Sequence, residues 1–123
     1  MTNTESNEQP KAGRIGGYEL RPVSMWLINW EAKRGVFVSG YGFEACGLQL
    51  VVHRPRLFGN VIATEGWRVS EYSTGAGVGG TAQTRREAIQ LAIDRCKSMG
   101  PKAIANALRK TRAAIRAAEG GTE

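Results

Sequence analysis

The chain has 123 residues, a formal net charge of +6, 41% hydrophobic and 23% charged residues. That is the mix of a soluble globular domain, and folding at this length buries about two-thirds of the surface the unfolded chain exposes, enough for one core without staples. No run approaches the roughly 18 apolar residues of a membrane span, and the opening MTNTESNEQPKAG has no apolar centre, so neither a signal peptide nor a membrane contact is expected and the expected location is cytoplasmic.

Residues 1–16 are rich in Ser, Thr, Asn and Glu, with Pro10, Gly13 and Gly16. They hold too few apolar groups to offset ordering entropy and are expected to form a disordered tail. A single α+β domain is expected over 17–118, with its sheet in 17–80, followed by a short tail at 119–123. Residues 24–30 (SMWLINW) form a β-prone run that puts Met25, Leu27 and Asn29 on one face and Trp26, Ile28 and Trp30 on the other, both half buried. A turn at 31–35 leads to Val36, Phe37 and Val38, closing a first hairpin, after which Gly40, Gly42 and Gly47 bracket an irregular connection. The third strand, 48–53, stops at Arg54-Pro55 because proline cannot donate to a ladder. Residues 60–64 read as a short fourth strand and 67–73 as a fifth, entered by the tight turn Glu65-Gly66. A sixth at 76–78 is short and weakened by its glycines.

Thr84-Arg85-Arg86-Glu87 is a capping box, so a helix starts there. Ile89, Ala92, Ile93 and Cys96 recur at helical spacing and give it one apolar face. Gly100 and Pro101 end it, and Pro101 suits the start of a second helix carrying Ile104, Leu108, Thr111 and Ile115 on one narrow stripe. The expected architecture is therefore α+β: an antiparallel sheet of about five strands, then helices over 84–99 and 101–118 packed on it.

The charge is unevenly placed. Residues 84–118 carry nine Lys and Arg against Glu87 and Asp94, so the net positive excess of the chain lies in its helices. At 100° per residue, Lys102, Arg109, Arg112 and Arg116 project within about an 80° arc on the side away from Ile104. Three readings fit this ridge: a solvated face whose late cations complement the helix dipole, contact with nucleic acid phosphates, or docking on an acidic protein surface. A second basic site is the loop after the third strand, where Arg54 and Arg56 flank Pro55 and Phe58 follows. Arginine beside an exposed ring is what single-stranded bases stack on, whereas a Phe58 tucked into the core would make this an ordinary loop.

Other chemistry is weaker. Gly75-Ala76-Gly77-Val78-Gly79-Gly80 matches GxGxxG, but the helix opens only after Thr84 and no second strand follows, so a dinucleotide site is not expected. Glu31-Ala32-Lys33 has the spacing of a nuclease half-site without a supporting aspartate, and His53 has no evident serine or cysteine partner. Catalytic residues, metal ligands and cofactors are accordingly not expected. Cys46 and Cys96 lack any metal-ligand spacing, and whether they meet is open. Trp26, Trp30 and Trp67 are expected to pack in the core, with anchoring of an interface as the alternative.

The stretch WRVSEYSTG…TRREAIQLA resembles the strand–turn–helix endings of small bacterial and prophage proteins, among them the HicB-type antitoxin domain. The likeness spans about 30 residues and implies no site residue here. The expected function is that of a small, basic, non-enzymatic binding protein. Its Lys102, Arg109, Arg112 and Arg116, joined by Arg54, Arg56 and Phe58, would meet nucleic acid, DNA or RNA. The alternative is a protein-interaction module, such as a phage or mobile-element accessory or inhibitor protein, that meets an acidic partner or forms a homodimer through its last helix.

Overall fold

The computed structural model describes residues 13–29, 34–57 and 61–120. Six strands form one antiparallel sheet: β1 (Gly13–Ile15), β2 (Tyr18–Asn29), β3 (Arg34–Ala45), β4 (Leu48–His53), β7 (Trp67–Glu71) and β8 (Gly77–Ala82), in the order β1-β2-β3-β4-β7-β8. Two short strands, β5 (Arg56–Leu57) and β6 (Val61–Ile62), pair with each other outside it. One helical element, α1 (Arg85–Gly120), follows. The α+β class, the antiparallel sheet and the C-terminal helical segment are as expected from the sequence. The main sheet has six strands, not about five, because β1 and β8 join it while the expected fourth strand shrinks to β6 and leaves it.

The reasons are local. The three residues of β1 pair with the start of β2, Gly13 opposite Leu20, inside the stretch that composition assigns to the tail. β3 runs on through Gly40 and Gly42, where an irregular connection is expected, because the missing side chain at Gly40 lets β3 approach β4. A Cβ there would lie 2.5 Å from the Val52 carbonyl oxygen. The glycine run that imitates a phosphate loop is split between the β7–β8 turn, which holds Gly75 and Ala76, and the strand β8, which begins at Gly77. The register of β8 against β7 slips between Trp67 and Val69, and Gly79 sits at the irregularity with φ of 86°.

The sheet is covered unequally on its two faces. On one face Leu20, Phe43, Leu50, Val52 and Val69 pack against Ala88, Ile89, Ala92 and Ile93 of α1, which is the apolar stripe read from the sequence. On the other, Met25, Leu27, Val38 and Val51 form a second cluster with Ile62 of β6 against it. Arg56 donates to the Leu27 carbonyl at 3.1 Å, and a methyl on Gly75 would lie 3.5 Å from the Trp26 carbonyl oxygen. The sheet thus curls toward this second face, which is concave, and α1 rides on the convex one.

Thr84 caps α1 as the sequence indicates, its hydroxyl accepting the Glu87 N–H at 3.1 Å. Gly100 interrupts the element with φ 83° and ψ 161°, so α1 consists of two arms, 85–99 and 101–120. Only the first packs on the sheet as expected. The second has no fully buried residue from Pro101 to Ala117. Its stripe of Ile104, Leu108, Thr111 and Ile115 is half buried, and Ile104 and Leu108 border a groove opposite Cys46, Gly47 and Leu48 of the β3–β4 turn. Cys46 and Cys96 meet in this groove as free thiols. Burial, with the Cys46 thiol beside it, pushes the Cys96 thiol up to about 11. Trp26, expected in the core, is 57% exposed, while Trp30 lies outside the described residues.

Gly79 joins a positive φ to close contact with the helix: a Cβ would lie 3.0 Å from Ala92 N and from the Leu91 carbonyl carbon. Gly79→Ala is therefore expected to destabilise the fold by about 2–4 kcal/mol, read from the urea midpoint, whereas Gly80→Ala, which meets nothing within 4 Å, changes it little.

Candidate nucleic-acid interface

The ridge read from the sequence lies on the second arm of α1. Lys102, Arg109, Arg112 and Arg116 are all exposed. Two of them are tethered: Arg109 donates to the Asn106 side-chain oxygen, and Arg112 Nη2 donates to Ser73 Oγ at 3.2 Å, reaching the turn between β7 and β8. That turn is itself rigid. The buried Glu71 carboxylate accepts bonds from the Ser73 and Thr74 N–H groups and from both hydroxyls, at 2.7–3.1 Å. Burial pushes its pKa up, but these donors outweigh it and hold the carboxyl below the usual glutamate value.

The second predicted site does not join the first. Arg54 is half buried, donates to the Gly66 carbonyl at 3.0 Å and stacks on the Trp67 ring with its guanidinium carbon 3.9 Å from the centroid. Arg56, two residues on, bonds the Leu27 carbonyl on the concave side. The two arginines therefore face different sides of the sheet, and Phe58 lies outside the described residues, as does the Glu31-Ala32-Lys33 stretch. Arg54 sits near the start of the first arm and the ridge begins at its end. A helix of that length separates them by about 22 Å.

Sequence reasoning missed a different constellation on the convex face. Arg85, at the first turn of α1, places its guanidinium carbon 4.7 Å from the Tyr41 centroid and 5.6 Å from that of Trp67. The two rings lie 6.2 Å apart. Farther along the same strands, beyond the reach of the helix, Trp26 and Phe37 are cross-strand partners with centroids 5.0 Å apart and exposures of 57% and 56%. The available signal was length. Strands of 12 residues offer more surface than one helical arm of about four turns can cover.

His53 also acquires a partner that the sequence did not reveal. Its Nε2 lies 2.8 Å from Ser70 Oγ and its Nδ1 2.7 Å from the Arg54 carbonyl. A neutral ring protonated at Nδ1 satisfies both, donating to the carbonyl and accepting from the hydroxyl. With exposures of 1% and 2%, His53 and Ser70 tie β4 to β7 on the concave face. They border a cleft of about 470 Å³ shared with Arg56, Glu65, Arg68 and Thr81. Among the described residues no group of three or more His, Cys, Asp and Glu is placed to hold a metal ion, and no helix is long and apolar enough to cross a membrane.

Burial holds the His53 pKa below its ordinary 6.5; the Arg54 carbonyl opposes this and the Arg68 charge adds to it. The unfolded chain therefore binds a proton near 6.5 that the folded chain refuses. Stability should be at its full value above that pH and fall as the pH drops through the window below it, by at most about 1.4 kcal/mol per pH unit. Urea midpoints between pH 7 and 5.5 check this: His53→Gln should be less stable at pH 7 and lose the slope in that window.

No protein-family model matches the chain, and comparisons with curated proteins and with solved structures find no match.

Proposed function

We propose that this is a non-enzymatic nucleic-acid-binding protein whose phosphate contacts are made by the second arm of α1, through Lys102, Arg109, Arg112 and Arg116. The observation that carries the reading is the arrangement of that arm. Its apolar stripe turns toward the β3–β4 turn, and all four cations are exposed, Lys102, Arg109 and Arg116 away from the groove lining and Arg112 at the groove's edge, where it reaches Ser73. The first acidic residue after Pro101 is Glu119, at i+3 from Arg116, so Lys102, Arg109 and Arg112 have no carboxylate within helical spacing on this arm. Such a row supplies affinity without sequence information, since each neutralised phosphate releases condensed counterions. Arg54 contributes from a separate place, beside Trp67, and Arg56 is occupied in holding β2, so neither extends the ridge.

A second reading has an observation of its own. The groove between the second arm and the β3–β4 turn has a volume of about 600 Å³ and is lined mainly by apolar groups, Leu48, Pro101, Ile104, Ala105 and Leu108 among them, with Lys97 and Arg112 at its border. This apolar lining suits a protein partner or a second copy of the chain better than a polyanion.

Salt separates the two. With four phosphates neutralised, affinity for a labelled duplex should fall by about a hundredfold between 50 and 200 mM salt. Arg109→Ala/Arg112→Ala/Arg116→Ala should weaken binding at low salt and flatten that dependence, as read by fluorescence anisotropy. Absence of binding at low salt, with a dimer in light scattering that Leu108→Asp dissolves, would instead establish the protein-interaction reading.

A further inference from the structure

The convex face of the sheet beyond the helix carries Trp26 and Phe37, and the nucleic-acid reading of the last arm does not use them. We infer that this face is a base-stacking platform for single-stranded nucleic acid, an inference that rests on the polyanion reading above and adds which form of the polymer is preferred.

The register fixes what the face presents. Trp26 pairs with Phe37, Ser24 with Ser39 and Pro22 with Tyr41, all pointing to the convex side, and Tyr41 leads on to Trp67. From Phe37 to Tyr41 is four residues of strand, about 13 Å, room for a short run of unstacked bases between one aromatic pair and the next. The hydroxyls of Ser24 and Ser39, 3.4 Å apart, lie between the two pairs. Trp26 and Phe37 differ from core packing, leaving more than half of their surface in water, whereas Tyr41 and Trp67 pack against the main cluster and carry the guanidinium groups of Arg54 and Arg85 over them.

Charge selects the occupant. The described side chains of β2 and β3 on this face from Pro22 to Tyr41 are aromatic, hydroxyl or proline, with no carboxylate, and the cations beside them are arginines already stacked on rings. A protein partner would be matched by a desolvated apolar core with a polar rim around it. Exposed rings with guanidinium planes beside them match bases, whose π-faces stack on both, and a backbone that the arginines attract. A duplex hides its base faces, so it gains nothing from the rings.

The test compares three probes at low salt: a 12-mer of thymidine, an abasic backbone of the same length and charge, and a 12-base-pair duplex. The thymidine strand should bind about tenfold tighter than the abasic one. Trp26→Ala/Phe37→Ala should bring the two together while leaving abasic and duplex affinities as they were. Trp26→Phe/Phe37→Tyr, which keeps stacking rings, should retain the preference and guards against a variant that merely fails to fold. Equal binding of the thymidine and abasic strands by the native protein overturns the platform but leaves the phosphate reading standing. Binding of no probe removes both. A thymidine preference that survives in the Arg109→Ala/Arg112→Ala/Arg116→Ala variant, with abasic binding unchanged, supports the platform and removes the last arm from the phosphate contacts. Light scattering that finds a native dimer dissolved by Trp26→Ala/Phe37→Ala assigns the face to self-association and overturns the inference.

Discussion

The rest of the molecule depends on how closely the first arm of α1 lies on the sheet. Ala88 and Ala92 are fully buried, and the backbone of Ala92 comes within a Cβ's contact distance of Gly79. Small residues on both sides let the helix and strand backbones meet, and Ile89 and Ile93 then reach the Leu50, Val52 and Val69 layer. This tight seat fixes the two ends of the arm. Its N-terminal end delivers Arg85 onto Tyr41 and Trp67, and its C-terminal end brings Cys96 and Gly100 against the β3–β4 turn. A side chain at Gly79 would lift the helix and loosen both ends together.

The same economy leaves surface uncovered. The concave face is closed by curl and by β6, with Met25, Leu27, Val38 and Val51 inside. The convex face has one arm of helix to cover strands of 12 residues, and the distal part of β2 and β3 lies beyond it. Rings placed there cost about 25 cal/mol for each Å² of apolar area they keep in water. An aromatic pair in that position is thus not explained by the stability of the fold, unlike Tyr18 on Phe43, which packs against the main cluster.

What the sequence disclosed follows from the range of the interactions concerned. The Thr84 cap, the helical stripe from Ile89 to Cys96 and the break at Gly100 are set by residues within one or two turns of each other, and each appears where expected. The strands β1 and β8 were obscured because their stabilisation comes from partners. Gly13 to Ile15 are held by β2, and within β8 Gly79 is the glycine that meets the helix, while Gly77 lies against the Arg68 side chain. The ridge on the last arm was legible because helical spacing alone defines it. The pairing of His53 with Ser70, of Arg54 with Trp67 and of Trp26 with Phe37 spans 11 to 17 residues and depends on sheet register, which periodicity does not supply.

The distribution of cations along α1 bears on why they are there. A helix dipole favours cations in the last turn, but α1 has no basic residue in its last turn, and its first turn opens with Arg85 and Arg86 at the positive end. Along the second arm Arg109 and Arg112 are spaced i, i+3 and Arg112 and Arg116 i, i+4, like-charge neighbours that each disfavour the helix by about 0.2–0.5 kcal/mol. Glu119, at i+3 from Arg116, is the one carboxylate in the sequence at either spacing from these arginines. Apart from the Arg116–Glu119 spacing, the ridge is thus unfavourable to the helix that carries it, and the dipole does not account for it. Bound phosphates would turn each of those repulsions into a neutralised site. The Arg112 bond to Ser73 ties the arm to the Glu71-capped turn and so sets where the ridge lies relative to the sheet.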